Sequence, residues 1–205
     1  MSLLLKIFFV FVLLFSFIFA SWYVVHADIH FSADIARDFH LLRELDEKKI
    51  VLIGPRSSTG LFHGPLWLYL NYPAFVIGQG NPIAVGWGWV VLSGIFVASN
   101  YFIAKDLFGK STAYLFTLMS AVYIAYHTRG MFNPHGAMFL IPIFFYLFVK
   151  YIRTGKLKFL VLHLITGALI LQFQMALGIP FLMLSSFYIL FDIFKKNDSD
   201  IFWLS

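Results

Sequence analysis

Seven apolar runs, residues 7–25, 65–77, 83–104, 112–126, 137–149, 159–171 and 179–194, take up most of this chain of 205 residues. They decide what it can fold into. With 60% hydrophobic and only 12% charged residues, the chain cannot cover its apolar surface with water-facing groups. Soluble domains carry about 25% charged residues. Its solvent is therefore expected to be lipid. An all-α integral membrane protein is expected, in one module over residues 1–205. The absence of cysteine excludes disulfides, thiolate metal sites and thiol nucleophiles. The net charge of +5 does not point to nucleic acid, because the basic residues sit in short clusters at the ends of the runs. Topology uses them there.

A hydrocarbon core about 30 Å thick needs about 20 helical residues. Residues 7–25 meet that length after Lys6. They are read as a retained first span rather than a cleaved signal, because the run is long and no small-x-small cleavage site follows it. The positive-inside rule decides whether residues 65–77 also cross. If they do not, Lys6, Lys105, Lys110, Lys150, Arg153, Lys156, Lys158, Lys195 and Lys196 all lie inside, and the turn 127–135 outside holds only Arg129. If they do cross, the cluster 150–158 moves outside. The first arrangement obeys the rule. It gives about six transmembrane helices, a first span 7–25 and spans at about 83–104, 112–128, 134–151, 157–174 and 177–194. The N-terminus is then cytoplasmic and the loop 26–82 external, in a plasma or inner membrane. Residues 65–77 are short, interrupted by Pro73 and rich in Trp67, Tyr69 and Tyr72. They read as an external juxtamembrane helix at the membrane surface, with Pro65 at its first position.

The loop is where the polar residues gather. The segment 21–81 holds six of the ten acidic residues, Asp28, Asp34, Asp38, Glu44, Asp46 and Glu47, and four of the seven histidines. Chemistry is expected there, with the apolar runs as scaffold. Ser32 is placed to cap a second external helix running to about Lys48. Ile35, Phe39, Leu42 and Leu45 recur at helical spacing on one face. Asp34, Arg37 and Asp38, spaced i, i+3, i+4, are read as sharing a charged face turned away from lipid. Residues 53–60, Ile-Gly-Pro-Arg-Ser-Ser-Thr-Gly, form a turn-rich connector.

Several short motifs follow in order: Asp34-Ile-Ala-Arg37-Asp38, Ile53-Gly54-Pro55, His63-Gly64-Pro65-Leu66-Trp67-Leu68-Tyr69, Phe108-Gly109-Lys110, Arg129 and Asn133-Pro134. In this order, and with this topology, they resemble the membrane glycosyltransferases of the glycosyltransferase-C superfamily. The likeness is to the dolichyl-phosphate-mannose protein mannosyltransferase-like branch (family 39/83 type), with its RgtA/B/C/D-like and lipid A aminoarabinose transferase types. It runs from about Asp28 to Pro180. The chain departs from the pattern at Ile35, where Glu is common, and at Gly64, where a first Pro is common. It is also about half the usual length, so an N-terminal fragment is expected.

The resemblance implies transfer of a sugar from a polyprenyl-phosphate donor to a glycan, lipid or protein acceptor at the outer face, as in cell-envelope glycosylation. It implies Asp34 as the acceptor-activating carboxylate, with Asp38 as a second catalytic candidate. A carboxylate within hydrogen-bond reach can take the acceptor's proton, and a guanidinium can hold the leaving phosphate. Arg37, Arg56, His63, Arg129, Asn133 and His135 are the candidates for donor phosphate or substrate. Sugar, acceptor and any divalent metal stay open. On charge spacing alone, Asp34, Arg37 and Asp38 also suit a solvated helix face with a local ion pair. His163 inside an apolar run reads as a packed histidine, and Gln172 and Gln174 as cavity lining or a turn cap. Two other functions compete: a transporter or flippase component, and a non-catalytic assembly subunit. Transporters put polar residues at the bilayer midplane on repeated, broken helices. Here only His163 is such a residue, and no repeat is evident.

Overall fold

The computed structural model describes residues 3–57, 60–131 and 133–202. Ser58 and Thr59 of the connector, the residues 203–205 and the side chains of Lys195 and Lys196 lie outside this description. The described residues form helices α1 (Leu3–Val25), α2 (Ala33–Lys48), α3 (Leu66–Ile77), α4 (Pro82–Phe108), α5 (Lys110–His127), α6 (Asn133–Thr154), α7 (Leu157–Phe173) and α8 (Met175–Phe202). Four segments are long and apolar enough to cross a membrane: α1, α4, α6 and the stretch Met175–Asp192 of α8. Large apolar side chains cover their outer faces, with Leu4, Phe11, Leu14, Val91, Phe102, Leu184 and Phe187 all exposed. Such surfaces are stable only against lipid or other apolar groups.

Helix α4 runs antiparallel to α1 and α5, which lie parallel to each other. The Tyr23 hydroxyl donates to the carbonyls of Gly86 and Thr128, joining the end of α1, the start of α4 and the end of α5. Gly136 lies against the Phe173 ring, joining the start of α6 to the end of α7. The other end is basic, and there Lys150 of α6 pairs with Asp106 of α4 at 3.1 Å. His163 is buried on α7, its Nδ1 3.0 Å from the Phe144 carbonyl and its ring between Phe144 and Phe148. It is a packed histidine.

The first polar end carries α2, α3 and the connector. Ser32 caps α2, its Oγ accepting from the Ile35 amide, and Lys49 closes the helix in a left-handed turn. Ile35, Phe39, Leu42 and Leu45 are buried against Trp67, Phe75 and Trp89 in one core. Helix α3 has twelve residues, about 18 Å by the helical rise and too short to cross the bilayer. Of its three aromatic residues expected at the interface, Tyr69 is exposed and Trp67 is not. Trp67 is fully buried, because it faces Phe39 of α2 across the core. The Tyr69 hydroxyl bonds the backbone of Val51, and the Tyr72 hydroxyl donates to Asp46. These bonds tie α3 to α2 and its following loop. The Lys49 and Tyr72 bonds hold the Asp46 carboxyl below its ordinary value.

The connector folds back on itself as a hairpin loop. Gly54 N–H donates to the His63 carbonyl, His63 N–H to Pro55, and Ser57 N–H to Leu61. Arg56 and Phe62 make the one isolated β-bridge among the described residues. The two arms cross so closely at Gly54 that a Cβ there would run into the Gly64 backbone carbonyl. Backbone cannot swing aside as a side chain can. Gly54→Ala is therefore expected to cost about 1–3 kcal/mol by overpacking. Thermal unfolding in detergent measures it, and an unshifted midpoint would contradict this crossing.

Candidate functional site

Asp34 stands in the first turn of α2, its side chain 60% exposed. Arg37, one turn on, makes a 2.9 Å ion pair with it. The same guanidinium gives its Nε and Nη2 to Asp38 Oδ1 at 2.8 and 2.7 Å. Its Nη1 also reaches the Arg56 carbonyl at 2.9 Å, tying α2 to the hairpin.

Asp38 corrects the expected solvated face. It is fully buried, and its Oδ2 has no partner among the described residues. The cause is its register. Asp38 lies three residues after Ile35 and four before Leu42, so the helix turns it toward the core with them. Burial pushes its carboxyl up to about 6, against the pull of the Arg37 hydrogen bond and charge. Asp34 and Asp38 therefore have different chemistry. Asp34 meets solvent and can meet an acceptor, whereas Asp38 meets only Arg37.

These partners take four of the five N–H donors of Arg37, and two of them are carboxylates. Arg56 differs. Its side chain is exposed and lies over the Phe62 ring at 6.0 Å, without an ion pair among the described residues. His63, on the returning arm, is half-buried with an unpartnered Nδ1. Burial, and then the Arg37 charge, lower its tendency to protonate. Gly64 touches Gln172 at the end of α7, where a Cβ would displace the carboxamide. Gln174 instead caps the α7–α8 turn, its carbonyl taking the amides of Leu177 and Gly178. Asp34, Arg37, Asp38, Arg56 and His63 thus form one cluster.

The residues of the 127–135 turn form another. A cleft of about 740 Å³ is lined by Trp22, Tyr23, Asp28, His30, Tyr126, His127, Arg129 and His135, among others. Arg129 pairs with Asp28 at 2.6 Å across it. His127 stacks on Tyr123, and His135 Nδ1 bonds the Gly130 carbonyl. Asn133 opens α6 nearby in sequence, but it is buried with both amide atoms unpartnered. Asp34 does not line this cleft. The chain from Asp28 to Asp34 holds the two groups within about 20 Å, as backbone reach allows. Among the described residues no group of three or more His, Asp or Glu is arranged to hold a metal ion.

Two contacts of this site lie outside local sequence pattern. Asp28 as the partner of Arg129 and Gln172 as the neighbour of Gly64 are long-range pairings with no periodic signal. The burial of Asp38 did have one, in its spacing from Ile35 and Leu42.

Fold and site together define an all-α protein with four helices fit to cross a membrane and a polar cap at one end of its helix bundle. The chain matches no protein-family model, no curated protein and no solved structure.

Proposed function

We propose that the chain is the catalytic part of a membrane-bound glycosyltransferase that takes a hexosyl or pentosyl group from a polyprenyl-phosphate donor. The observation that carries this reading is the cluster on α2: an exposed carboxylate, Asp34, held by a guanidinium that is itself anchored on a buried Asp38, beside the exposed Arg56. In the reaction Asp34 accepts the proton of an acceptor hydroxyl. That oxygen attacks the anomeric carbon, and the carbon–oxygen bond to the donor phosphate breaks with inversion. The electron pair leaves on the lipid phosphate, whose growing charge Arg56 stabilises. The cleft offers the apolar walls of Trp22 and Tyr126 beside the Asp28–Arg129 pair, and it holds a part of the acceptor away from its reacting hydroxyl. The resemblance described above points to the same donor class.

Six spans are proposed, with α5 and α7 crossing beside the four longer helices. Both pack along them, and α7 with 17 residues falls only a little short of about 20. The basic end then faces the cytoplasm, and α2, the hairpin and α3 lie at the outer face of a plasma or inner membrane. The native chain has no cysteine, so single introduced cysteines report sidedness cleanly. An impermeant thiol reagent added outside is expected to label sites at Asp46 and Arg129 and to spare Lys156. Labelling at Lys156 from outside would overturn the arrangement.

A further inference from the structure

We infer that Asp38 is a positioning residue for Asp34, acting through Arg37; this rests on the transferase reading above. An i, i+3 ion pair on a helix surface does not by itself fix a carboxylate, because the long arginine side chain has many rotamers. Here the guanidinium is fixed from behind. Asp38 Oδ1 takes both Nε and Nη2, the two donors on one edge of the planar group. That edge sets the plane, and the plane sets where the Nη1 hydrogens point. They point at Asp34 Oδ1 and at the Arg56 carbonyl. Asp38 is thus the rear anchor of a chain that ends on the reacting carboxylate and on the backbone of the residue holding the donor phosphate.

The burial of Asp38 is costly and serves no other contact. Among the described residues its Oδ2 is unpartnered, and Arg37 is the only side chain it bonds. Buried ion pairs are often no more stabilising than apolar residues of like volume. A residue retained only for stability would not need this arrangement. The charged and titratable groups around the pair are Arg37 and Asp34 from α2 and Arg56 and His63 from the hairpin; α3 faces α2 here with Trp67. The raised carboxyl value fixes the sign of the pH effect. The folded protein takes up the Asp38 proton between the unfolded value near 4 and about 6, so stability from this group falls as pH rises through that window. The clamp works in the ionised form, above about pH 6.

The test uses the intact protein in lipid vesicles, with polyprenyl-phosphate mannose and polyprenyl-phosphate glucose as donors and release of polyprenyl phosphate as readout. Asp38→Asn and Arg37→Lys are each expected to lower kcat about 10–100-fold, the scale of a small misplacement of a reacting group, with KM within about twofold. The double variant is expected to be no slower than either single one, since the two residues act as a unit. Asp38→Asn should also lose an acid limb near pH 6 and keep a melting midpoint at pH 7.5 at or above that of the native protein. Multiplying losses, or a fall in melting midpoint that tracks the fall in rate, would overturn the proposal and leave Asp38 a structural residue. Native turnover in Asp38→Asn, with Asp34→Asn inactive, would overturn it while sparing the transferase reading. Native turnover in Asp34→Asn would instead sink that reading.

Discussion

Asp34→Asn is expected to reduce sugar transfer by about 10²–10⁴-fold, the usual cost of removing a well-placed general base. The substitution keeps the side chain's shape and its place in the first turn of α2. It removes the negative charge that makes an oxygen basic. Stability should change little, because the lost Arg37 pair is more than half exposed on the Asp34 side and such pairs contribute about 0–1 kcal/mol. Rate loss without unfolding is therefore the expected pattern, read as product formed per folded protein. Turnover within about threefold of native would remove Asp34 from the chemistry, the general-base contribution then being too small.

The largest structural effect is expected at Trp89. Trp89 is fully buried on α4, packed near the Phe139 ring of α6. Its Nε1 donates to Asn71 Oδ1 at 2.8 Å, and Asn71 Nδ2 donates to the Trp67 carbonyl at 2.8 Å. This indole therefore seats α3 on α4, and α3 carries α2. Trp89→Ala is expected to cost about 3–5 kcal/mol for the cavity alone. Leaving Asn71 Oδ1 buried and unpaired adds about 1–3 kcal/mol. Trp89→Phe fills most of the space and loses only the hydrogen bond, so it should fall near the smaller figure. Thermal unfolding of the two variants separates packing from the bond. Equal midpoints for both would mean that the cavity contributes nothing.

The sequence carried the local parts of this architecture well. Ser32 followed by Ile35, Phe39, Leu42 and Leu45 announces a capped amphipathic helix, and the structure has it at Ala33–Lys48. The Pro73-interrupted run after Pro65 announces a helix too short to cross, and α3 has twelve residues. Residue type misled where it was weighed above position. Asp38 is charged, yet its spacing from Ile35 and Leu42 puts it on the buried face. Trp67 is of a type that favours the membrane interface, yet it packs against Phe39 of α2 in the core. Pairings such as Asp28 with Arg129, 101 residues apart, depend on how helix ends meet in space, and no local period encodes that.

Transfer itself is the most direct test of the central claim, that the cap formed by α2 and the hairpin moves a sugar from a lipid phosphate. The intact protein is placed in vesicles holding a radiolabelled polyprenyl-phosphate hexose together with glycan, lipid and peptide acceptors, and polyprenyl phosphate and glycosylated product are separated by chromatography. The account predicts matched appearance of both, abolished by Asp34→Asn and reduced by Arg56→Gln. Donor that stays intact over many hours with every hexose tried, in a protein that melts cooperatively, would contradict it.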